Sequence, residues 1–217
     1  MGKRKIATES SNPQKRIKTD NAANLFWAVD DDDIDKVSQI LKSDPELVNI
    51  RDLDHNTLLH KAAEKGSVRM VGILSYYGAD IDALGDGGQG PIHLAAINGH
   101  LPVVKALYEK DHNIINQPNA LSNNAPLHIA ALKQNVKMVE FLIECGADIE
   151  AINIHREIPR DLTRNTKIHQ IIDQAPSNGL NVKPDSNNEL VQPQLINLEQ
   201  SLYNEVSIRN SSNILNS

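Results

Sequence analysis

The sequence predicts an all-α solenoid, and three observations carry that reading. First, a motif recurs: Leu58-Leu59-His60-Lys61-Ala62-Ala63 returns as Pro91-Ile92-His93-Leu94-Ala95-Ala96 and again as Pro126-Leu127-His128-Ile129-Ala130-Ala131. Its histidines lie 33 and then 35 residues apart, a period that belongs to stacked repeat architectures. Second, eight residues after each histidine a further apolar segment begins, at Val68, Leu101 and Val136, and runs on through Met70-Val71, Val103-Val104 and Met138-Val139. Third, 40% of the 217 residues are hydrophobic but only 3% are aromatic. A core made of Ala, Leu, Ile and Val suits small helices whose axes approach closely.

Two of the units close on Gly78-Ala79-Asp80-Ile81 and Gly146-Ala147-Asp148-Ile149. These residues together resemble the ankyrin repeat, whose pattern runs Thr-Pro-Leu-His-x-Ala-Ala, then Gly-His, then a Val-Val-x-Leu-Leu helix, then Gly-Ala-Asp. The copy that opens at Gly90-Pro91-Ile92-His93 and continues through Gly99-His100 to Val103-Val104 matches best. The same frame picks out a divergent first copy, Leu25-Phe26-Trp27-Ala28-Val29 followed by Ile34, Val37, Ile40 and Leu41. It also picks out a truncated fifth, Pro159-Arg160-Asp161-Leu162 followed by Ile168, Ile171 and Ile172. The resemblance implies a solenoid of about five stacked units, each a helix–turn–helix with a hairpin loop, at residues 22–50, 51–83, 84–118, 119–151 and 152–174. A basic tail at 1–21 and an Asn/Ser-rich tail at 175–217 are expected to be disordered.

Such a unit cannot bury its apolar faces alone, so each must stack on its neighbours. The Ala-Ala pairs let first helices approach, and the degenerate end copies supply polar outer sides. Gly66, Gly78, Gly88, Gly99 and Gly146 fall where helices end or hairpins turn, positions that favour positive φ. His55, Asn123 and Arg156 stand where a hairpin glycine is expected, and Arg156 leads to the expectation of a distorted last loop.

Residues that suggest chemistry have structural readings beside the chemical ones. A zinc site needs its ligands within ~2.1 Å of one ion, and histidines placed one per repeat, about 10 Å apart, do not converge. The resemblance implies instead that His60, His93 and His128 hydrogen-bond locally and lock the loops. The acidic run Asp30-Asp31-Asp32-Asp33 with Asp35 lacks the spaced oxygens of a calcium loop and is expected to cap helices. Residues 85–90, Gly-Asp-Gly-Gly-Gln-Gly, follow no strand and carry no Gly-Lys-Ser/Thr ending, so they read as a hairpin and not as a phosphate cradle. Cys145 has no assured base beside it. No catalytic constellation, metal site or cofactor site is expected.

The resemblance implies protein binding through a concave face made of first helices and hairpin tips. Carried onto this chain, the variable positions are Asp30 and Asp31, Glu64 and Lys65, Ile97 and Asn98, and Leu132 and Lys133. The tips contribute Leu53, Asp54, Leu84, Asp86, Leu121 and Ile154. Ile97, Leu132, Leu53, Leu84 and Leu121 form either one exposed apolar strip that marks an interface or residues tucked against neighbouring tips. Leu94 and Leu107 read as core.

Charge is uneven. The net value is −6, yet the first twenty residues hold six basic side chains against two acidic ones, a balance of +4 that leaves −10 for the rest. An acidic body argues against specific nucleic-acid binding by the folded part. Lys3, Arg4 and Lys5, then Lys15, Arg16 and Lys18, resemble a bipartite nuclear-localisation signal for an import receptor. A merely solubilising tail and a non-specific phosphate binder are the competing readings. A single cysteine fits a reducing compartment, and no run reaches the ~20 apolar residues of a membrane span. The expected protein is a monomeric nuclear adaptor or inhibitor that binds another protein and is not an enzyme; a secreted effector acting in a host nucleus and a targeting subunit of an enzyme complex are the alternatives. Leu195, Leu198, Leu202 and Val206 have helix-like spacing, read either as a docking segment or as disorder.

Overall fold

The computed structural model describes residues 13–176, with side chains from Asn21 onward. Its helices are α1 (Pro13–Asp30), α2 (Ile34–Ser43), α3 (Leu58–Lys65), α4 (Val68–Tyr76), α5 (Pro91–Ile97), α6 (Leu101–Lys110), α7 (Pro126–Leu132), α8 (Val136–Glu144) and α9 (Thr166–Gln174). They form two layers. In the first, α1, α3, α5 and α7 neighbour one another in order, and a 3-10 turn at Pro159–Leu162 continues the row beyond α7. In the second, α4 packs between α2 and α6, and α9 packs on α8. Among the described residues there is no strand beyond one isolated antiparallel bridge between Arg51 and Thr57. This is an all-α repeat solenoid.

Short polar residues start the second helices. Asp33, Ser67 and Asn135 each accept a backbone N–H three residues on, at 3.0, 3.2 and 3.1 Å. Between the two helices of each repeat the chain turns through positive φ, at Asp32 (55°), Gly66 (78°), Gly99 (74°) and Gln134 (55°). Glycine occupies this position in only two repeats. In the first, the Ser67 hydroxyl donates to Asp32 Oδ1 at 2.5 Å and ties the turn to the next repeat.

The alanine rows fill the space between first helices: Ala62, Ala63, Ala95, Ala96, Ala130 and Ala131 are all fully buried, and Ala28 and Val29 nearly so. Leu58, Leu59, Ile92 and Leu127 complete that layer, while Met70, Leu74, Val103, Leu107, Met138 and Leu142 fill the second. Tyr108 and Phe141 meet edge to face at 6.0 Å between α6 and α8, with Lys105 Nζ 5.1 Å above the Phe141 ring. Leu107 is core as expected. Leu94 is not: it follows His93 on the outward side of α5 and stays partly exposed.

The hairpins share one construction. Each closes by a backbone bond: Asp52 N–H to Asn56 O at 2.9 Å, Gly85 to Gln89 at 2.8 Å, Asn119 to Asn124 at 3.0 Å, and Asn153 to Glu157 at 3.1 Å. The residue before each acceptor has positive φ: His55 61°, Gly88 62°, Asn123 54° and Arg156 60°. The last loop is therefore not distorted, contrary to the sequence expectation. Its shape is held by Asn153, whose side-chain oxygen accepts the N–H groups of His155 and Glu157 at 2.9 and 3.0 Å. Asp52 does the same in the first loop, with N–H groups of Asp54 and Asn56 at 3.0 and 2.9 Å. An Asx turn at the loop's first residue fixes the backbone, so the residue in the left-handed region need not be glycine.

Repeats one and three close with a 3-10 turn, Pro45–Asn49 and His112–Asn116, where two and four use Gly-Ala-Asp. Asn49 and Asn116 then make identical two-way links to the following repeat. Each side chain donates to the Gly78 or Gly146 carbonyl at 3.2 Å and accepts the Asp80 or Asp148 N–H at 2.8 Å. The 35-residue spacing between His93 and His128 comes from this longer closure and from one extra residue in the third hairpin.

At the ends the sequence reading needs one correction. α1 begins at Pro13, inside the tail expected to be disordered, so the backbone of Lys15, Arg16 and Lys18 is helical. Proline is favoured in the first turn of a helix, and no glycine or second proline interrupts the run to Asp30. Lys3, Arg4 and Lys5, and the Leu195–Val206 spacing, lie outside the described residues. After the fourth hairpin the described chain holds the 3-10 turn Pro159–Leu162 and α9. α9 turns Ile168 and Ile172 inward and Lys167, Gln170 and Asp173 outward.

What ties one layer to the next is the recurrent histidine. Nδ1 accepts the N–H that begins its own helix: Thr57 to His60 at 3.1 Å, Gly90 to His93 at 3.0 Å, and Ala125 to His128 at 3.2 Å. Nε2–H donates to a carbonyl at the next repeat's loop: Gln89 at 3.0 Å, Gln117 at 2.9 Å and Glu157 at 3.2 Å. An imidazole that accepts at one nitrogen and donates at the other must be neutral. Burial holds all three below the ordinary histidine value, His93 as far as about 4.

Two predictions arise from this packing. Leu107→Ala costs about 2–5 kcal/mol in urea unfolding, as buried truncations do, while Leu94→Ala costs less than about 1 kcal/mol. Between about pH 6.5 and pH 4 the unfolded chain protonates at position 93 and the folded one does not. Stability is thus complete above that window and falls as the solution is acidified through it, with His93 alone contributing on the order of 3 kcal/mol across the whole range. The urea midpoint therefore drops from pH 7.5 to pH 5, and His93→Gln, though less stable at pH 7.5, shows a flatter profile.

Candidate protein-binding surface

The cohesive residues recur at fixed places, and so do those left facing outward. Along the first-helix layer three positions face away from the packed faces, except in the fourth repeat, where Ile129 is buried. The residue after the histidine position is Trp27, Lys61, Leu94 and Ile129 in successive repeats. The two after the alanine pair are Asp30 and Asp31, Glu64 and Lys65, Ile97 and Asn98, and Leu132 and Lys133. Asp30, Asp31, Glu64, Lys65, Asn98, Leu132 and Lys133 are exposed, Ile97 is half-buried, and Ile129 is buried. One helical turn separates the first of these positions from the second, so they share a face.

This face has two chemistries. Its first half carries Asp30, Asp31, Lys61, Glu64 and Lys65, and both lysines are already engaged. Lys65 Nζ donates to Asp30 O at 2.8 Å and lies 3.5 Å from Asp30 Oδ1. Lys61 Nζ sits 3.8 Å from Asp52 and 3.9 Å from Glu64. The second half carries Leu94, Ile97 and Leu132, the last 54% exposed, with the exposed Asn98 and Lys133 beside them.

Trp27 is 66% exposed and was not among the expected contact residues. The signal that finds it is register: Ala28-Val29 aligns with Ala62-Ala63, which puts Trp27 level with Lys61 on the outward side and not level with a histidine. Phe26 holds the histidine position in that repeat.

The expected tip residues sit on the hairpins. Leu53 and Asp54 lie at the first tip, Asp86 at the second, Leu121 at the third and Ile154 at the fourth; Leu53 is 99% exposed and Leu121 70%. Leu84 precedes the residue that closes the second hairpin and so stands in register with Arg51 and Ile152, not with the tips. Asp86, Gly87 and Gly88 form the second tip and break the apolar sequence between Leu53 and Leu121. Leu121 and Ile154 sit on adjacent loops joined by the bond from Ile154 N–H to Ser122 O at 3.0 Å. Ile152, 58% exposed beside them, was also missed.

The other candidate features have structural employment. Asp33 caps α2, and Asp32 binds Ser67. The glycines at 85 and 88 let hairpins touch: a Cβ at Gly85 would collide with Asn56 Oδ1, and one at Gly88 with the Ala120 Cβ. Burial pushes the Cys145 thiol up to about 11, which keeps it protonated at neutral pH. The described residues contain no group of three or more His, Cys, Asp or Glu side chains arranged to hold a metal ion. No helix among them is long and apolar enough to cross a membrane.

Comparison with known proteins agrees with this architecture. The family model described as Ankyrin repeats (3 copies) matches residues 25–119 and 74–153, more than half of the chain. A Transient receptor potential cation channel subfamily A member 1 homolog of Caenorhabditis elegans is 28% identical over 145 residues, 67% of this chain and 12% of that protein. A putative ankyrin repeat protein of Rickettsia felis is 26% identical over 131 residues, 60% of this chain and 43% of that protein. Nuclear factor NF-kappa-B p105 subunit of Rattus norvegicus is 32% identical over 108 residues, 49% of this chain and 11% of that protein. The chain thus spans less than half the length of each of these relatives. Its repeated histidine stitch, its buried alanine rows and the family match together place it in the ankyrin-repeat family, a family of protein–protein interaction modules.

Proposed function

We propose that this protein is a non-catalytic adaptor or inhibitor that binds a protein partner on the concave side of the stack, in the nucleus, and thereby regulates transcription or chromatin. The observation that carries the binding reading is the outward face of α5 and α7. Leu94, Ile97 and Leu132 stand there in solvent contact while the residues that hold the stack together are consumed elsewhere. Large aliphatic side chains kept facing water on one face mark an interface. Regular stacking of short first helices supplies a continuous surface for an incoming chain.

The nuclear address is supported by the basic clusters alone. An import receptor grips an extended chain, so the α1 backbone at Lys15, Arg16 and Lys18 would unwind on binding; ends of helices fray at small cost. Similarity to the NF-kappa-B p105 subunit accords with a nuclear regulator. Similarity to the Rickettsia felis protein favours a second reading, an effector delivered by a microbe into a host nucleus. Relatives named as a palmitoyltransferase of Homo sapiens and a tyrosine-protein kinase of Hydra vulgaris accord with a third, a targeting subunit of an enzyme complex.

Two experiments test this. Ile97→Asp combined with Leu132→Asp abolishes partner capture and leaves the helical circular dichroism and melting temperature near those of the parent; unchanged capture removes the binding reading, and loss of helicity makes the two residues structural. In a fluorescent fusion, Lys15→Ala, Arg16→Ala and Lys18→Ala together abolish nuclear enrichment, and persistent enrichment sinks the address.

A further inference from the structure

The first-helix face changes character halfway along the stack, and that change specifies an occupant. Over repeats one and two it offers Trp27 with Asp30, Asp31 and Glu64, and among the described side chains its cations there, Lys61 and Lys65, are held by Asp52 and Glu64 and by Asp30. Over repeats three and four it offers Leu94, Ile97 and Leu132 with the polar Asn98 and a single lysine, Lys133, at its edge, and no acid. We infer that the protein binds a single peptide segment of polar design, with basic residues at the end that lies over repeats one and two and large aliphatic residues at the end that lies over repeats three and four. This inference rests on the protein-binding reading above and adds the chemistry of the partner.

The argument is one of complementarity. Asp31 and Glu64 attract a guanidinium or ammonium group, and Trp27 presents an indole on which an arginine stacks. The same acids repel phosphates, so a nucleic acid does not fit this end. At the other end, aliphatic side chains of the segment remove Leu94, Ile97 and Leu132 from water. Helix axes in contact lie about 10 Å apart, so α1 and α7 are about 30 Å apart across three steps. At about 3.3 Å per residue, an extended segment of roughly nine residues spans both halves. Joining the two anchors in one chain makes the second contact intramolecular, and the joined segment outbinds either half.

Trp27 is the chain's one tryptophan, so its emission reports occupation of the first half directly. The probes are synthetic twelve-residue peptides titrated into the full chain. One kind has Arg-Arg-Lys at one end, a neutral spacer, and Leu-Leu-Ile at the other, made in both chain directions. A second has the same composition with basic and aliphatic residues interspersed, and a third has Glu in place of the basic residues. One direction of the segregated peptide shifts the Trp27 emission and binds at least about tenfold more tightly than the interspersed peptide, with affinity that falls as salt rises. Asp31→Asn with Glu64→Gln flattens the salt dependence. Leu132→Asp weakens binding about tenfold and leaves the salt dependence in place. Equal binding by the interspersed or the acidic peptide overturns the polarity, as does no binding by the segregated peptides up to about 1 mM. Those results leave the binding-module reading standing, because that reading falls only if Ile97→Asp with Leu132→Asp leaves partner capture unchanged.

Discussion

A neutral imidazole held between two backbones is the contact on which the stack depends. Each of His60, His93 and His128 satisfies a donor at the start of its own helix, where four N–H groups lack intrahelical partners. Each also donates into a carbonyl of the repeat that follows. A buried polar group left unmade costs far more than a made one gains, so the side chain both requires and enforces the neighbour's position. The first repeat has Phe26 in that register and uses other links. Asn49 donates to the Gly78 carbonyl at 3.2 Å and accepts the Asp80 N–H at 2.8 Å, which joins the first repeat's closure to the second's. Asp32 and Ser67 join the helix turns.

Cohesion of this kind acts only between neighbours, and it uses the same few positions in every unit: the histidine, the alanine pair, the inward leucines and valines, the Asx residue of the loop. The positions between them are released from folding duty. That is why Trp27, Lys61 and Leu94 can differ so widely while His60, His93 and His128 do not, and why chemistry can vary along the face without disturbing the layers beneath. The division of the face into an acidic half with a tryptophan and an aliphatic half is a product of this freedom. An open stack offers a long surface, which suits contact with another chain.

Much of this was legible in the sequence because it is periodic. The all-α class, the recurring helix–turn–helix unit and the positive φ at His55, Gly88, Asn123 and Arg156 all follow from a pattern that returns at near-constant spacing. What did not follow was anything decided by neighbours that the period does not describe. Leu94 reads as core because leucine usually is, yet its register with Lys61 puts it outside. Trp27 was hidden because the first copy is divergent, and only the alignment of Ala28-Val29 with later alanine pairs shows its direction. The last loop was expected to be distorted because Arg156 disfavours positive φ, but Asn153 at the loop's start holds the same backbone. The early start of α1 was missed because a basic, polar stretch carries little apolar periodicity, and Pro13 marks the start of a helix as readily as the end of a tail.

The account stands or falls on the state of the three histidines. Long-range nitrogen–proton correlation spectra of the imidazole rings report tautomer and charge for each. His60, His93 and His128 are predicted to be neutral with the proton on Nε2 at pH 7, and to stay so on acidification well past the ordinary midpoint of about 6.5. Titration of these rings near that ordinary value, or a proton found on Nδ1, would contradict the claim that they clasp one repeat to the next.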